Sequence, residues 1–151
     1  MTARGGRWVA LQMDAGGAVV LVARRAPQPP SAATARRVVA VGVGALGAVV
    51  ALGSARRLGP AFTVFPRPRP GAPLAANGPY RVVRHPMYAS VLAFAVALAT
   101  DGSPWAFVPA ATLAIVLDRK AAREEAWLME ARPEYATYRA AVRWRFLPGV
   151  R

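Results

Sequence analysis

Four stretches of the chain are dominated by apolar residues, and arginine-rich connectors separate them. Residues 8–23 form the weakest of the four, because Gln12 and Asp14 lie inside the stretch and Gly16 and Gly17 interrupt it. Such a segment fits a spanning helix packed against better ones, or a helix lying in the membrane interface. Residues 38–53 are cleaner. They predict a helix about 24 Å long at a rise of ~1.5 Å per residue, short of a roughly 30 Å hydrocarbon core unless flanking arginines snorkel. Ala40, Gly44 and Ala48 recur four apart there. That spacing suits close helix packing in lipid, and alanine-rich composition produces it equally well. The runs 87–100 and 105–117 flank the turn Asp101-Gly-Ser-Pro104, with Pro104 placed to open a helix, so 86–118 reads as a helical hairpin. Beyond residue 118 the pattern turns charged and amphipathic. It predicts a helix over about 118–131, a break at Pro133 and a short helix through Arg143.

The expected fold is therefore all-α and membrane-embedded, a single domain over 1–151. Its parts are a weak first segment at 8–23, a helix at 38–53, a basic Pro-rich loop at 54–85, the hairpin at 86–118 and a cytosolic amphipathic tail at 119–151. The tract from Phe65 to Gly71 alternates proline with arginine and can be neither helix nor central strand.

Composition sharpens this picture. The chain is 55% hydrophobic yet carries a net charge of +13. Bilayer proteins with charged loops reconcile those two features, whereas soluble domains rarely combine them. No acid lies between Asp14 and Asp101, so that stretch suits anionic lipid head groups or an anionic substrate. The turn at 101–104 has no Lys or Arg, while the connector at 54–85 has six arginines and the tail after 118 has eight basic residues. The positive-inside rule puts the connector and tail in the cytoplasm. If all four segments span, Arg24, Arg25, Arg36 and Arg37 then fall on the outer side, against the rule. Trp8, Trp105, Trp127 and Trp144 read as interfacial anchors, and Arg67, Arg69, Arg143, Arg145 and Arg151 as contacts to lipid phosphates. There are no cysteines, which excludes disulfides, thiolate metal sites and a cysteine nucleophile. One histidine without a metal-spaced acidic cluster argues against zinc. Nucleic-acid binding fits the charge but not the four apolar runs.

The chemistry concentrates in Gly78-Pro-Tyr-Arg-Val-Val-Arg-His-Pro-Met-Tyr88, where the basic loop enters an apolar helix. Pro86 suits a first helical turn, whose N–H groups are free to face an anion. Arg84 offers a donor fork for a carboxylate, His85 exchanges protons near neutrality, and Tyr80 and Tyr88 offer faces for a purine or a cation. Further on, Leu117, Ala121, Glu124 and Leu128 fall on one helical stripe, with Glu125 about 100° away. A glutamate on an apolar face needs a cation: either a bound ligand, or an internal partner among Lys120, Arg84 and Arg123. Tyr135 and Tyr138, with Ala131 and Val142, form a face whose default role is docking the tail.

The stretch 78–88 resembles the Gly-Pro-Tyr…Arg-His-Pro-x-Tyr signature of the isoprenylcysteine carboxyl methyltransferase and phospholipid methyltransferase families. Leu58-Gly59…Phe65-Pro66…Leu74 is similar to their lead-in. Glu124-Glu125…Leu128…Pro133-Glu134-Tyr135-x-x-Tyr138…Val142…Phe146-Leu147-Pro148-Gly149 is similar to their C-terminal signature. Ser90 stands where glycine is common, and Arg132-Pro133 where Phe-Gly is frequent. The resemblance covers roughly 38–150 and implies an integral membrane methyltransferase using S-adenosyl-L-methionine, held between the Arg-His-Pro helix mouth and the C-terminal helices. It implies Tyr80, Val83, Arg84, His85, Pro86, Tyr88, Glu124, Glu125 and Tyr138 as cofactor-binding residues, with Arg84, His85 and Glu125 closest to the chemistry and no metal. The expected partners are anionic lipids and a lipophilic or lipid-linked acceptor. That acceptor is a carboxylate as in the isoprenylcysteine enzymes, or a phospholipid amine. A non-enzymatic cationic membrane protein is the rival. The expected location is a bacterial inner membrane, with the site on the cytoplasmic side.

Overall fold

A computed structural model describes residues 5–25, 32–59, 62–65, 71 and 73–150. Five α-helices account for most of them: α1 (Gly6–Arg25), α2 (Ala33–Leu58), α3 (Pro86–Asp101), α4 (Phe107–Ala131) and α5 (Glu134–Ala141). Short 3-10 turns occupy Gly78–Arg81 and Pro104–Ala106, and no strand occurs among the described residues. The prolines at 27, 29 and 30, the Pro-Arg tract at 66–70 and Arg151 lie outside the described residues.

The weak first segment is one unbroken helix. Gly16 and Gly17 do not interrupt α1, because Ala15, Val19 and Ala23 recur four apart and bury against α3, α4 and the turn between them. Tertiary packing here outweighs the modest cost of glycine in a helix, roughly 1 kcal/mol each.

The second helix is longer than its apolar run. α2 has 26 residues, about 39 Å at ~1.5 Å per residue. Arg36 and Arg37 sit in its first turns and Arg56 and Arg57 in its last, so the expected limits of 38–53 are corrected to 33–58. Arginine is a good helix former, and its long stem lets the charge leave an apolar surface. α2 packs along α3, and the small-residue stripe faces that contact with one change of phase. Ala40 and Gly47 are buried while Ala48 is exposed. A Cβ on Gly47 would lie 3.0 Å from Ala93 Cβ, and one on Gly44 would lie 3.7 Å from Ala97 Cβ. The seam therefore runs 40, 44, 47, the three–four alternation of a helix face, rather than strictly by fours.

α3 matches its predicted run. α4 does not stop at Asp118: one 25-residue helix joins the fourth apolar run to the first half of the charged tail. The expected boundary at 118–119 marks a change of surroundings within a continuous helix. Leu113 and Leu117 are fully buried against α1 and α3, and farther along the same face Lys120, Ala121 and Glu125 are buried too. The break at Arg132–Pro133 agrees with the sequence, and α5 ends at Ala141, short of the expected Arg143, because Val142 turns extended.

The turn end of the bundle is tightly closed. Ala23, Ala99 and Ala106 form a small core there, and Arg37 Nε lies 3.5 Å from Asp101 Oδ1. The arginines at 24, 25, 36 and 37 thus share the end of the 102–106 turn, opposite the Arg-His-Pro segment. A Cβ at Gly102 would come within 2.5 Å of Ala23 O and 2.9 Å of Leu98 O. Both are backbone atoms that cannot swing aside, so Gly102→Ala is expected to destabilise by about 1–3 kcal/mol. Gly17→Ala, with nothing within 4 Å, should instead stabilise by roughly 0.5–1 kcal/mol. Thermal melting of the two variants in one detergent checks both signs.

Candidate active site

The site end begins with Gly78, at φ 61°, a left-handed conformation that glycine adopts without strain. It lets Gly78–Arg81 coil into a 3-10 turn that buries the Tyr80 ring. Tyr138 from α5 donates its hydroxyl to Tyr80 O at 2.7 Å, tying the tail to this turn as the default reading of Tyr138 expects.

Arg84 and His85 then meet the C-terminal segment. Their backbone N–H groups donate to Trp144 O and Arg145 O, each at 2.9 Å. Arg84 Nη1 donates to Val142 O at 2.9 Å and Arg143 O at 2.7 Å, and its Nε donates to Glu125 Oε1 at 2.9 Å. So the mouth of α3 is sealed by its own chain rather than left open to an anion: the Tyr88 N–H is also taken, by His85 O. Arg145 donates from Nη1 to Asp118 and reaches both Glu125 oxygens at 3.4 Å. It is an internal clamp, which corrects its expected place against lipid phosphate.

The two glutamates divide their roles, and the division reverses the expected phase. Glu125 is the deeply buried one, with 4% of its side chain exposed, and Glu124 keeps 26%. Both lie within one turn of Ala121, at four and three residues, so periodicity alone could not separate them. Burial by itself would raise the Glu125 pKa. Hydrogen bonds from His85 and Arg84 and the charges of His85 and Arg145 outweigh burial and hold it down at about 2. An ionised carboxylate only accepts, so His85 Nε2, 3.1 Å from Glu125 Oε1, carries the proton of that bond. Glu124 accepts from the Tyr88 hydroxyl at 2.8 Å and lies 3.8 Å from His85 Nδ1. Burial pushes its pKa up, against the pull of His85, the Tyr88 hydrogen bond and Lys120. The His85 and Tyr88 rings stack with centroids 5.4 Å apart, and Phe146 meets both edge-on.

These groups edge a cavity of about 280 Å³, near the low end of the roughly 300–1,000 Å³ typical of small-molecule sites. Of the residues singled out from sequence, Tyr80, Arg84, His85, Tyr88, Glu124 and Tyr138 line it. Val83, Pro86 and Glu125 are buried behind the wall. Among the other lining residues, Tyr135, Lys120 and Gln12 were not assigned to the site from sequence. Tyr135 is 2% exposed and its hydroxyl has no hydrogen-bond partner among the described residues. Lys120 is 1% exposed, and its Nζ donates to Gln12 Oε1 at 2.6 Å and Val64 O at 2.9 Å. Desolvation lowers the Lys120 pKa to about 8, with Glu124 pulling the other way. The spacing of Lys120 to Glu124 and of Tyr135 to Tyr138, one helical turn each, was the available signal. Gln12 had none, since it comes from a helix more than a hundred residues away.

A cavity with a carboxylate, a free phenol and an aromatic floor is suited to holding a small cationic or polyhydroxyl ligand, and no three-residue metal cluster occurs among the described residues. No curated protein and no solved structure matches the chain. The family model described as phospholipid methyltransferase does match, over residues 35–132. That match takes in α2, the Gly-Pro-Tyr turn, the Arg-His-Pro segment, the hairpin and both glutamates, so this chain belongs to the phospholipid methyltransferase family.

Proposed function

We propose that the chain is a membrane-embedded methyltransferase that takes S-adenosylmethionine from the cytoplasmic side and methylates a membrane-associated acceptor. The observation that carries this reading is the cavity lined by Tyr80, His85, Tyr88 and Tyr138, with Glu124 on its wall. Glu124 suits the ammonium or ribose of the cofactor, while Tyr80, Tyr88 and Tyr138 supply flat apolar walls. When bound, the cofactor supplies an electrophilic methyl group on a sulfonium. The protein's task is alignment and exclusion of water.

Arg84 is proposed as a positioning residue. Its Nε and Nη1 are spent on Glu125 and on two carbonyls of the tail, so it holds His85 and the C-terminal segment in place from the cavity wall. Glu125 does the same for His85 Nε2. A carboxylate acceptor requires no base, which fits a site whose one imidazole already donates to Glu125. The description of the matched family favours a second reading, a phospholipid amine. His85 Nδ1 is then the atom available to take the proton.

The membrane reading rests on α2. It is the one helix among the described residues long and apolar enough to cross a bilayer, and Val38, Val41, Leu46, Val49 and Leu52 are more than half exposed along it. Such a contiguous apolar face is unfavourable in water and neutral in lipid. With α3 packed on it and the first part of α4, to residue 118, packed on α3 in turn, the charged half of α4 and α5 lie in the cytosol.

The test is S-adenosylhomocysteine binding to the purified chain in detergent. Saturable binding is expected. A well-folded protein that fails to bind up to millimolar ligand removes the methyltransferase reading, and a cationic lipid-binding role takes its place.

A further inference from the structure

Lys120 is the sole lysine of the chain, and it is buried where a cation is costly. Its hydrogen-bond partners, the Gln12 amide and the Val64 carbonyl, are neutral, and Nζ stands 5.1 Å from the centre of the Tyr88 ring. Dipoles and a ring face compensate a buried ammonium less well than an anion does. Lys120 also lies one turn before Glu124 on α4, about 6 Å nearer the apolar half of that helix at ~1.5 Å per residue. The apolar part of the cavity wall includes Leu58, Phe62, Met87 and Val91, and Leu58 closes the helix whose outer face is apolar. The cavity is therefore polarised. Its Glu124 end suits a cation, and its Lys120 end suits an anionic group attached to a hydrocarbon chain.

We infer that Lys120, with Gln12, forms an acceptor-side subsite that holds an anionic oxygen group, carboxylate or phosphate, at the head of an amphiphile whose chain lies along the apolar wall. This inference rests on the methyl-transfer reading for the word acceptor. The subsite itself stands on the buried ammonium, whose hydrogen-bond partners are both neutral and whose one anionic neighbour, Glu124, lies a helical turn away.

Because no other lysine competes, acylation of the folded wild-type chain in detergent by acetic anhydride reports directly on this amine, read at Lys120 by mass spectrometry. Two pairs of probes separate the sources of the anion: N-acetyl-S-farnesylcysteine against its methyl ester, and phosphatidic acid against diacylglycerol. The charged member of one pair is expected to slow Lys120 acylation, and to bind about tenfold or more tightly than its neutral counterpart, the margin of a charge-assisted hydrogen bond. The pair that responds identifies carboxylate or phosphate. Lys120→Met should lose that preference and Lys120→Arg should keep it. Equal protection by charged and neutral members of both pairs in wild type overturns the inference without any variant. Protection by S-adenosylhomocysteine in place of the amphiphiles also overturns it, and leaves the methyltransferase reading intact. Conversely, amphiphile protection in a protein that binds no S-adenosylhomocysteine upholds the anion subsite while the cofactor reading fails.

Discussion

Glu125→Gln is expected to destabilise the protein by about 3–5 kcal/mol, the usual cost of removing one partner of a buried ion pair. Glu125 holds Arg84 Nε at 2.9 Å and His85 Nε2 at 3.1 Å, and Arg145 closes on it from the tail. A glutamine keeps one acceptor oxygen but no charge, so a buried guanidinium is left uncompensated and the Val142–Arg145 segment loses its anchor. The same carboxylate makes stability acid-sensitive. Its pKa is 4.5 ordinarily and about 2 in the folded chain, a depressed value. Its contribution is thus complete above about pH 4.5, and is lost as the pH falls through about 2. Melting temperatures measured across that window in detergent should fall steeply for wild type and more shallowly for the glutamine variant. Parallel profiles would show that the cluster does not carry this stability.

Glu124→Gln should behave in the opposite way, sparing the fold and removing the ligand. The Tyr88 hydroxyl at 2.8 Å can donate to an amide oxygen as readily as to a carboxylate, and a buried charge unfavourable in the empty cavity is deleted. The melting temperature should hold or rise. Affinity for S-adenosylhomocysteine is expected to drop about 10–100-fold, as for a lost charge-assisted hydrogen bond. Burial raises the Glu124 pKa, and wherever the group is protonated the ligand's ammonium must displace that proton. Wild-type affinity should therefore strengthen as pH rises through the Glu124 ionisation, while the glutamine variant stays flat on that limb. Titration calorimetry in buffers of different ionisation enthalpy would read the released proton. Wild-type-like affinity in the variant would remove Glu124 from the ligand.

The contrast between the two neighbouring glutamates shows where reading the chain stops. A pair of adjacent acids on a helix with apolar positions at three- and four-residue spacing has two possible phases. Leu117-Ala121-Glu124-Leu128 is one, and Leu113-Leu117-Ala121-Glu125 is the other. α1 chooses the second by packing against Leu113 and Leu117, and Lys120 then turns with them toward Gln12. The arginines present a similar ambiguity. Arg143 and Arg145 are alike in sequence, yet Arg145 is drawn inward by Asp118 and Glu125 while Arg143 contributes its carbonyl to Arg84 and leaves its side chain exposed.

By itself the sequence determined the helical content, the hairpin at 86–101 and 107–118, the stop at Pro133 and the family signature. Each is written locally, in the period of apolar residues, in proline's fixed φ and missing N–H, and in short spacings between neighbours. Helix ends and continuity needed the packed structure, because burial of Ala15, Val19 and Ala23 overrides Gly16 and Gly17, and because charged residues extend α2 and α4 beyond their apolar runs. The pairings at the site needed it most. Arg84 with Glu125 spans 41 positions and Lys120 with Gln12 spans 108. Only the rotation and depth at which four helices pack decide which side chains meet across such gaps.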